Sequence, residues 1–204
     1  MTTTTIYPIS GYPTVYLTTD NVPMTIRPMM PEDQGALLDF FRSIPSEDRF
    51  YLKDDVTDPT IIARWAQTLD YSRVLPLLAI LDDKIVGDGT LHHHRAGARQ
   101  HIGEVRVVVA PAYRTRGVGR ALLHKLIDIA GDKGLKQLLF EVVADTEQAA
   151  RHTAQVLGFG PVAMLPAHVR DSGGHPHDLL IMERRLLDPG LSADGEVEDY
   201  VPVF

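Results

Sequence analysis

The sequence of 204 residues predicts one mixed α/β domain. A chain of this length with 44% apolar residues can bury a substantial core, so neither a second domain nor a set of repeats is needed. Strand-like and helix-like patterns alternate along the chain. The strand, helix and strand between residues 102 and 143 favour a parallel pair joined by a crossover helix.

The two ends of the chain differ in character from its middle. Residues 1–23 contain several prolines among scattered aromatics, which predicts an extended N-terminal arm packed on the body. Residues 24–187 carry the periodic patterns and are expected to form the domain. Residues 188–204 are predicted to be an acidic C-terminal tail.

The first elements are a short strand and two helices. Thr25–Arg27 is the strand candidate, and Pro31 with two following acids suits the start of a helix. Asp58 before Pro59 is an N-cap and first-turn pair, so the apolar periodicity behind it predicts a helix over residues 59–70.

The middle of the chain predicts a hairpin and then the clearest strand. Residues 75–81 form a continuous apolar run, and an extended pattern restarts at Ile85 after two aspartates. Residues 102–109 follow as a strand that stops at Pro111, because proline has no N–H for a sheet ladder.

Helix and strand then alternate to the end of the domain. Helical spacing covers residues 117–130 and 146–157, each closed by glycine, with a strand at 138–143 between them. Residues 162–165 and 179–186 are the last strand candidates.

Composition excludes several classes of protein. The absence of cysteine rules out disulfides, thiolate zinc sites and a cysteine nucleophile. The net charge of −7 argues against sequence-independent binding of nucleic acid. No apolar run approaches the roughly 20 residues of a membrane span, and no signal peptide is recognisable at the N-terminus, so a cytoplasmic location is expected.

The most informative segment joins the strand at 102–109 to the next helix. A helix N-terminus presents unpaired N–H groups and a partial positive charge, which suits a phosphate or a diphosphate. Gly117 and Gly119 allow close approach of the backbone, and Arg114, Arg116 and Arg120 could add charge-assisted bonds. A strand, turn and helix with a solvated basic edge would carry the same residues, so the pattern alone leaves both interpretations open.

Other nucleotide and hydrolase motifs do not fit, because the third glycine of a dinucleotide fingerprint is Leu122, and neither a P-loop nor a nucleophile elbow occurs. The run Arg114-x-x-Gly117-x-Gly119, after a valine-rich strand and before an apolar helix, instead resembles the main coenzyme A motif of the GNAT superfamily of N-acyltransferases. Leu157-Gly158-Phe159 is similar to the late motif of that superfamily. The segments 27–33 and 43–49 more loosely resemble bacterial protein-lysine acetyltransferases.

The resemblance implies a GNAT-like fold, in which the sheet is mostly antiparallel and one parallel pair of strands splays apart. It also implies that acetyl-CoA is the co-substrate, that its pantetheine arm bonds the backbone of the motif strand, and that its diphosphate sits on the following loop. The residues implied in cofactor binding are Val107, Val108, Val109, Arg114, Thr115, Arg116, Gly117, Val118, Gly119 and Arg120.

Glu104 is the catalytic candidate, because it begins the motif strand and resembles the glutamate that several GNAT members use as general base. An amine must lose a proton before it attacks a thioester, and a carboxylate accepts it best if partial burial raises its pKa. An ordinary ion pair with Arg106 is the competing interpretation.

The position of the general-acid tyrosine of many relatives is Ala154, and the position of their usual asparagine is Glu147. His152 or Tyr113 is left as a candidate acid.

The expected reaction is acetyl transfer to a primary amine, on a protein lysine or a small molecule, by direct attack in a ternary complex. A non-catalytic acyl-CoA-binding module is the alternative, and assembly as a homodimer is left open. His92, His93 and His94 invite a metal interpretation, but no metal is predicted, and these histidines are placed near the substrate cleft. Residues 171–178 are expected to form a solvated hairpin loop.

Overall fold

A computed structural model of the protein describes residues 7–186. One eight-stranded sheet runs through it in the order β1-β2-β3-β4-β5-β6-β8-β7, and every neighbouring pair is antiparallel except β5 and β6. The strands are β1 (Thr14–Leu17), β2 (Pro23–Pro28), β3 (Val74–Leu81), β4 (Lys84–His93), β5 (Ile102–Val109), β6 (Gln137–Val143), β7 (Gly160–Arg170) and β8 (Pro176–Arg185). The mostly antiparallel sheet with one parallel pair confirms the predicted fold class.

Five helices flank this sheet within the described residues. They are α1 (Gln34–Ser43), α2 (Ser46–Arg49), α3 (Pro59–Gln67), α4 (Val118–Asp132) and α5 (Gln148–Val156). A 3₁₀ turn over Pro31–Asp33 leads into α1, and another over Pro111–Tyr113 follows β5. The Asp58 side chain accepts a hydrogen bond from the Thr60 N–H, which confirms the predicted N-cap of α3.

Two apolar cores lie on opposite faces of the sheet. The larger core packs α4 and α5 against one face, with Leu122 and Leu126 fully buried. The second core packs α1 and α3 against the other face, around Phe41 and Ile62. Side chains of β5 alternate between them, since Val107 and Val109 contact the first core and Val108 the second, as the period of two predicts.

The differences from the sequence prediction are local. The residues predicted as an extended arm include β1, which pairs with β2 at the edge of the sheet. Its four residues alternate between half-buried and exposed, so they carry little apolar signal. The helix predicted over 59–70 ends at Gln67, and the four-residue helix α2 was not predicted. The predicted acidic tail, 188–204, lies outside the described residues.

Candidate active site

Strands β5 and β6 run parallel but pair over only part of their length. Their register begins with Ile102 opposite Gln137 and ends with Val105 opposite Phe140, although both strands continue for several residues. Beyond Val105 the strands therefore diverge and leave a gap in the sheet. The gap opens into a cleft of about 1870 Å³ that reaches both the α4 side and the α1 side of the molecule.

The backbone of β5 faces this gap at every second residue. The Ala110 N–H donates to the Val86 carbonyl at 3.0 Å, so the even-numbered residues of β5 bond to β4. Val107 and Val109 consequently turn their N–H and C=O groups toward the gap. Because pairing with β6 has ended there, their N–H groups have no partner among the described strands. Polar backbone groups without partners can bind an extended ligand as a strand would.

The loop from β5 to α4 forms a cradle of backbone N–H groups. Thr115 and Gly117 have positive φ values of 63° and 84°, and no side chain of the described residues caps the N-terminus of α4. Among residues 7–186, no acceptor is bonded to the N–H groups from Thr115 to Arg120. Alternating left-handed residues at a helix N-terminus point successive N–H groups inward, which is a geometry that binds phosphate oxygens.

Different physical requirements apply at the two glycine positions of this loop, Gly117 and Gly119. Gly117 needs glycine for its left-handed backbone. A Cβ at Gly119 would meet Val109 Cγ2 at 3.5 Å and Val107 Cγ1 at 3.8 Å, which are ordinary contacts. Packing therefore does not require glycine at 119. Close approach of a ligand to the backbone would explain a glycine at this position.

The three arginines of the motif have separate surroundings. Arg114 Nη2 lies 2.6 Å from Asp48 Oδ2, and Arg116 Nη2 lies 2.6 Å from Asp20 Oδ2. Those guanidinium groups tie the loop to α2 and to the β1–β2 turn. Arg120 is exposed, lines the cleft and makes no ion pair with the described residues. Its guanidinium is thus the one of the three that is available to a phosphate.

The opposite face of the sheet carries a polar ladder along the cleft. Asp88, Thr90 and His92 alternate along β4, and Arg106 and Glu104 lie opposite Thr90 and His92 on β5. Side chains directly opposite each other on antiparallel strands are close enough to interact. This ladder places Glu104 beside Arg106, its partner in the competing interpretation, and opposite His92.

Glu104 lies at the closed end of the gap, one residue before the last β5–β6 pair. Its Oε1 accepts hydrogen bonds from Arg106 Nη2 at 2.7 Å and Nε at 2.9 Å, and from Lys53 Nζ at 3.1 Å. Burial raises the pKa of the Glu104 carboxyl, but Arg106 and Lys53 outweigh burial, so the pKa lies below its ordinary value. The condition that favours a general base, a pKa raised by partial burial, is therefore not met at Glu104.

His92 is neutral in this setting. Burial, together with the nearby Arg106, lowers the pKa of His92 to about 4, and its Nε2 lies 3.1 Å from Thr90 Oγ1. His92 lines the cleft as predicted, whereas His93 and His94 do not line it. Within residues 7–186, no group of three or more possible ligands converges to hold a metal ion.

Asp88 was missed as a candidate for acid–base chemistry. It lies on β4 between Leu78 of β3 and Val108 of β5, and is 9% exposed at the cleft. Its carboxyl makes no hydrogen bond or ion pair with the described residues, and burial raises its pKa to about 7. A lone aspartate between two glycines in a strand gives no motif, so only the fold reveals its position.

A family model described as the acetyltransferase (GNAT) family matches residues 38–159. This match covers more than half of the chain. The chain belongs to the GNAT acetyltransferase family. Members of this family are acyltransferases, and acetyl-CoA is their acyl donor. The motif around Gly117 and Gly119 predicted this family from the sequence. The splayed strands are a feature that the resemblance implied.

Individual proteins that are similar to this chain are also described as acyltransferases or acetyltransferases. The L-amino acid N-acyltransferase MnaT of Escherichia coli (strain K12) is 37% identical to this chain over 87 residues. The match covers 43% of this chain and 49% of that protein, so it spans about half the length of the curated relative. A GCN5-related N-acetyltransferase structure from Kribbella flavida is 30% identical over 80% of this chain and 98% of that chain, with a TM-score of 0.69. The yncA structure from Salmonella typhimurium, described as a putative acetyltransferase with acetyl-CoA, shares the fold at 22% identity and a TM-score of 0.69, covering 82% of this chain and 96% of that one.

The start of α5 differs from the GNAT pattern in a physically defined way. Glu147, at the position of the usual asparagine, accepts a hydrogen bond from the Val143 N–H at 2.6 Å and thereby closes the end of β6. Burial raises the pKa of Glu147. Ala154, at the position of the usual tyrosine, is fully buried in the first core. Of the two alternative acids, His152 lines the cleft, whereas the Tyr113 ring lies under the Arg116 guanidinium at 5.4 Å.

The β7–β8 loop is more structured than the predicted solvated hairpin. His177 Nδ1 lies 2.7 Å from Asp145 Oδ2, and its Nε2 lies 3.5 Å from Asp171 Oδ2. These two carboxylates raise the pKa of His177, with Asp145 the larger cause. The histidine therefore joins the hairpin to the end of β6 along the rim of the cleft.

Proposed function

We propose that this protein transfers an acetyl group from acetyl-CoA to a primary amine by direct attack in a ternary complex. The acceptor is a lysine side chain or a small-molecule amine. The proposal rests above all on one observation, the gap between β5 and β6 that opens beside a loop of unpaired N–H groups. The gap could hold an extended chain, and the adjoining loop could bind an anionic group at its end.

The cofactor side is built from backbone. The N–H groups between Thr115 and Arg120 would bind the diphosphate, and Arg120 would add charge. The N–H groups of Val107 and Val109 would bond the pantetheine arm. One of them would polarise the thioester carbonyl and stabilise the negative charge that develops on its oxygen.

The acceptor side is built from side chains of the polar ladder. We assign Glu104 as the proton acceptor for the attacking amine, directly or through a water molecule. Its low pKa keeps the carboxylate ionised at neutral pH, and its exposed fraction of 31% lets a received proton pass to solvent. A primary ammonium approaching Glu104 must share or replace the contact that Lys53 makes there.

The first experiment measures binding of acetyl-CoA. A ligand that binds only the folded state raises the melting temperature, with about 2.7 kcal/mol of stabilisation at a hundred times Kd. A thermal shift that saturates with acetyl-CoA and is absent with adenosine alone is the expected result. No shift at millimolar acetyl-CoA would contradict the assigned cofactor site.

The second experiment tests Glu104 on a panel of amines. Glu104→Gln keeps the shape of the side chain but removes the proton acceptor, so kcat should fall by roughly 10²–10⁴ while the Kd of acetyl-CoA is retained. Glu32→Gln, an exposed glutamate beside α1, is the matched control. Turnover by Glu104→Gln at the parental rate would show that Glu104 is a structural acid.

A further inference from the structure

The protein places one of its own primary amines against the carboxylate that we assign as the base. Lys53 Nζ lies 3.1 Å from Glu104 Oε1. All of the five lysines in the sequence are described by the structure, and Lys53 is the one that lines the cleft. An alkyl ammonium in hydrogen-bond contact with a general base at the closed end of the gap has the chemistry of the acceptor substrate itself.

The loop that carries Lys53 is anchored on both sides. The Leu52 N–H donates to the Arg49 carbonyl at 2.9 Å, and the Leu52 side chain packs on the second core. Val56 is 3% exposed within that core. The lysine therefore projects from a short, fixed bridge between α2 and α3, which limits the conformational freedom lost when its amine is positioned.

The charges around the amine are those of the polar ladder. Glu104 and Arg106 face it from β5, and His92, on β4, lies within electrostatic reach of it. The single carboxylate is shared by two cations, Lys53 and Arg106. The Lys53 side chain is 55% exposed, so it is accessible to solvent as well as to the cleft.

We propose that Lys53 is an autoacetylation site, at which the protein transfers the acetyl group of acetyl-CoA to its own side chain. This inference rests on the proposed function. The Lys53 ammonium gives one proton to Glu104, and its nitrogen forms a C–N bond to the thioester carbonyl carbon. The C–S bond breaks with its electron pair on sulfur, and a second proton from nitrogen reaches the thiolate through solvent. The products are Nε-acetyl-lysine, CoA and one proton released by Glu104.

The modification changes the site that makes it. An acetylated Lys53 has no positive charge, so Glu104 keeps Arg106 as its cation and loses the other. The pKa of Glu104 should then rise from its lowered value, because one of the two groups that depress it is gone. Acetylation would also remove the ammonium that an incoming acceptor must share or replace.

The test incubates the full chain with acetyl-CoA and follows every lysine by peptide mass spectrometry. Non-enzymatic acetylation affects all exposed lysines, so Lys84, exposed at the start of β4, is the internal reference. We expect Lys53 to be acetylated at least about tenfold faster than Lys84, since proximity to the base accelerates one site alone. Equal rates at the two lysines would overturn the proposal.

Two variants and a dilution series separate chemistry from accessibility. Glu104→Gln should bring the Lys53 rate down to that of Lys84, whereas Lys84→Arg should leave the Lys53 rate unchanged. A reaction within one molecule has a rate constant that does not change across a hundredfold dilution of the protein at fixed acetyl-CoA. Undiminished Lys53 acetylation in Glu104→Gln, or a rate that falls with dilution, would refute the assignment.

The failure of this inference is distinguishable from failure of the proposed function. If an external amine is acetylated and Lys53 is not modified above Lys84, the enzyme is an acetyltransferase without autoacetylation. If acetyl-CoA does not bind and no amine reacts, the proposed function itself is wrong. Acetylation at Lys53 together with a more alkaline rising limb of kcat/KM in the acetylated protein would support both.

Discussion

The pH dependence of folding stability gives a test of the acceptor face that needs no substrate. Asp88 is buried without a partner among residues 7–186, and its pKa in the folded protein is about 7 against an ordinary value of 3.8. Between these two values the folded state binds a proton at Asp88 that the unfolded state has released. Stability contributed by the protonated carboxyl is therefore complete below about pH 4 and is lost as the pH rises through about 7.

The magnitude follows from the difference between the two pKa values. Each unit corresponds to about 1.4 kcal/mol, so ionisation of Asp88 should cost on the order of 4 kcal/mol of the free energy of unfolding above neutral pH. Asp88→Asn keeps the shape of the side chain but cannot ionise. The variant should gain stability relative to the parent as pH rises from 5 to 8, because the parent loses stability over that range and the variant does not lose it at this site.

Urea unfolding of the parent, Asp88→Asn and Asp39→Asn at half-unit intervals between pH 5 and 8 measures this difference. Asp39 is exposed on α1 and serves as the matched control, since an exposed carboxylate has no desolvation to relieve. The stability difference between the parent and Asp88→Asn should grow with pH and level off above the folded pKa. Parallel pH profiles for those two proteins would refute the burial argument, whatever their absolute stabilities.

Three further substitutions test the cofactor side. Gly119→Glu should fold normally, because a Cβ there meets valine methyl groups at ordinary distances, yet acetyl-CoA binding measured by calorimetry should be lost to steric and charge repulsion. Arg120→Gln should raise the Kd of acetyl-CoA and flatten its dependence on salt, whereas Arg99→Gln, outside the cleft, should change neither. Asp20→Asn should raise the KM for acetyl-CoA more than it changes kcat. The substitution breaks the Asp20–Arg116 ion pair, which loosens the loop before α4 but leaves the polar ladder intact. A fall in kcat alone would contradict this expectation.

The cofactor half of the site was predictable because its information is local in sequence. A strand, a proline, a turn with two glycines and an amphipathic helix are consecutive, and β5 spans the residues that were predicted for it. In the proposed cofactor site the binding groups are backbone N–H groups, so their placement follows once the local conformation is known. The arginines were harder, because Asp48 and Asp20, which engage two of them, come from distant elements.

The acceptor half was less predictable because its information lies in the register between strands. Glu104 was found through the family motif, but the lowering of its pKa comes first from Arg106 and then from Lys53, which is 51 residues away along the chain. Asp88 carries no motif, and its burial follows from packing between β3 and β5. The strand β1 was missed for the related reason that four half-exposed residues give no clear periodicity.

The two carboxylates of the polar ladder, Glu104 and Asp88, have opposite pKa shifts, and the physical reason is whether a cation reaches them. Glu104 shares its oxygen with Arg106 and Lys53 and stays ionised, whereas Asp88, without a partner in the described residues, retains its proton to about neutral pH. An acceptor that carries a positive charge into the cleft would form an ion pair with the Asp88 carboxylate and would thereby lower the pKa of Asp88. The energy that burial of Asp88 costs the folded protein would then be recovered on binding, which favours cationic over neutral acceptors. A neutral amine analogue that competes with a cationic acceptor equally well at pH 8 would contradict this preference.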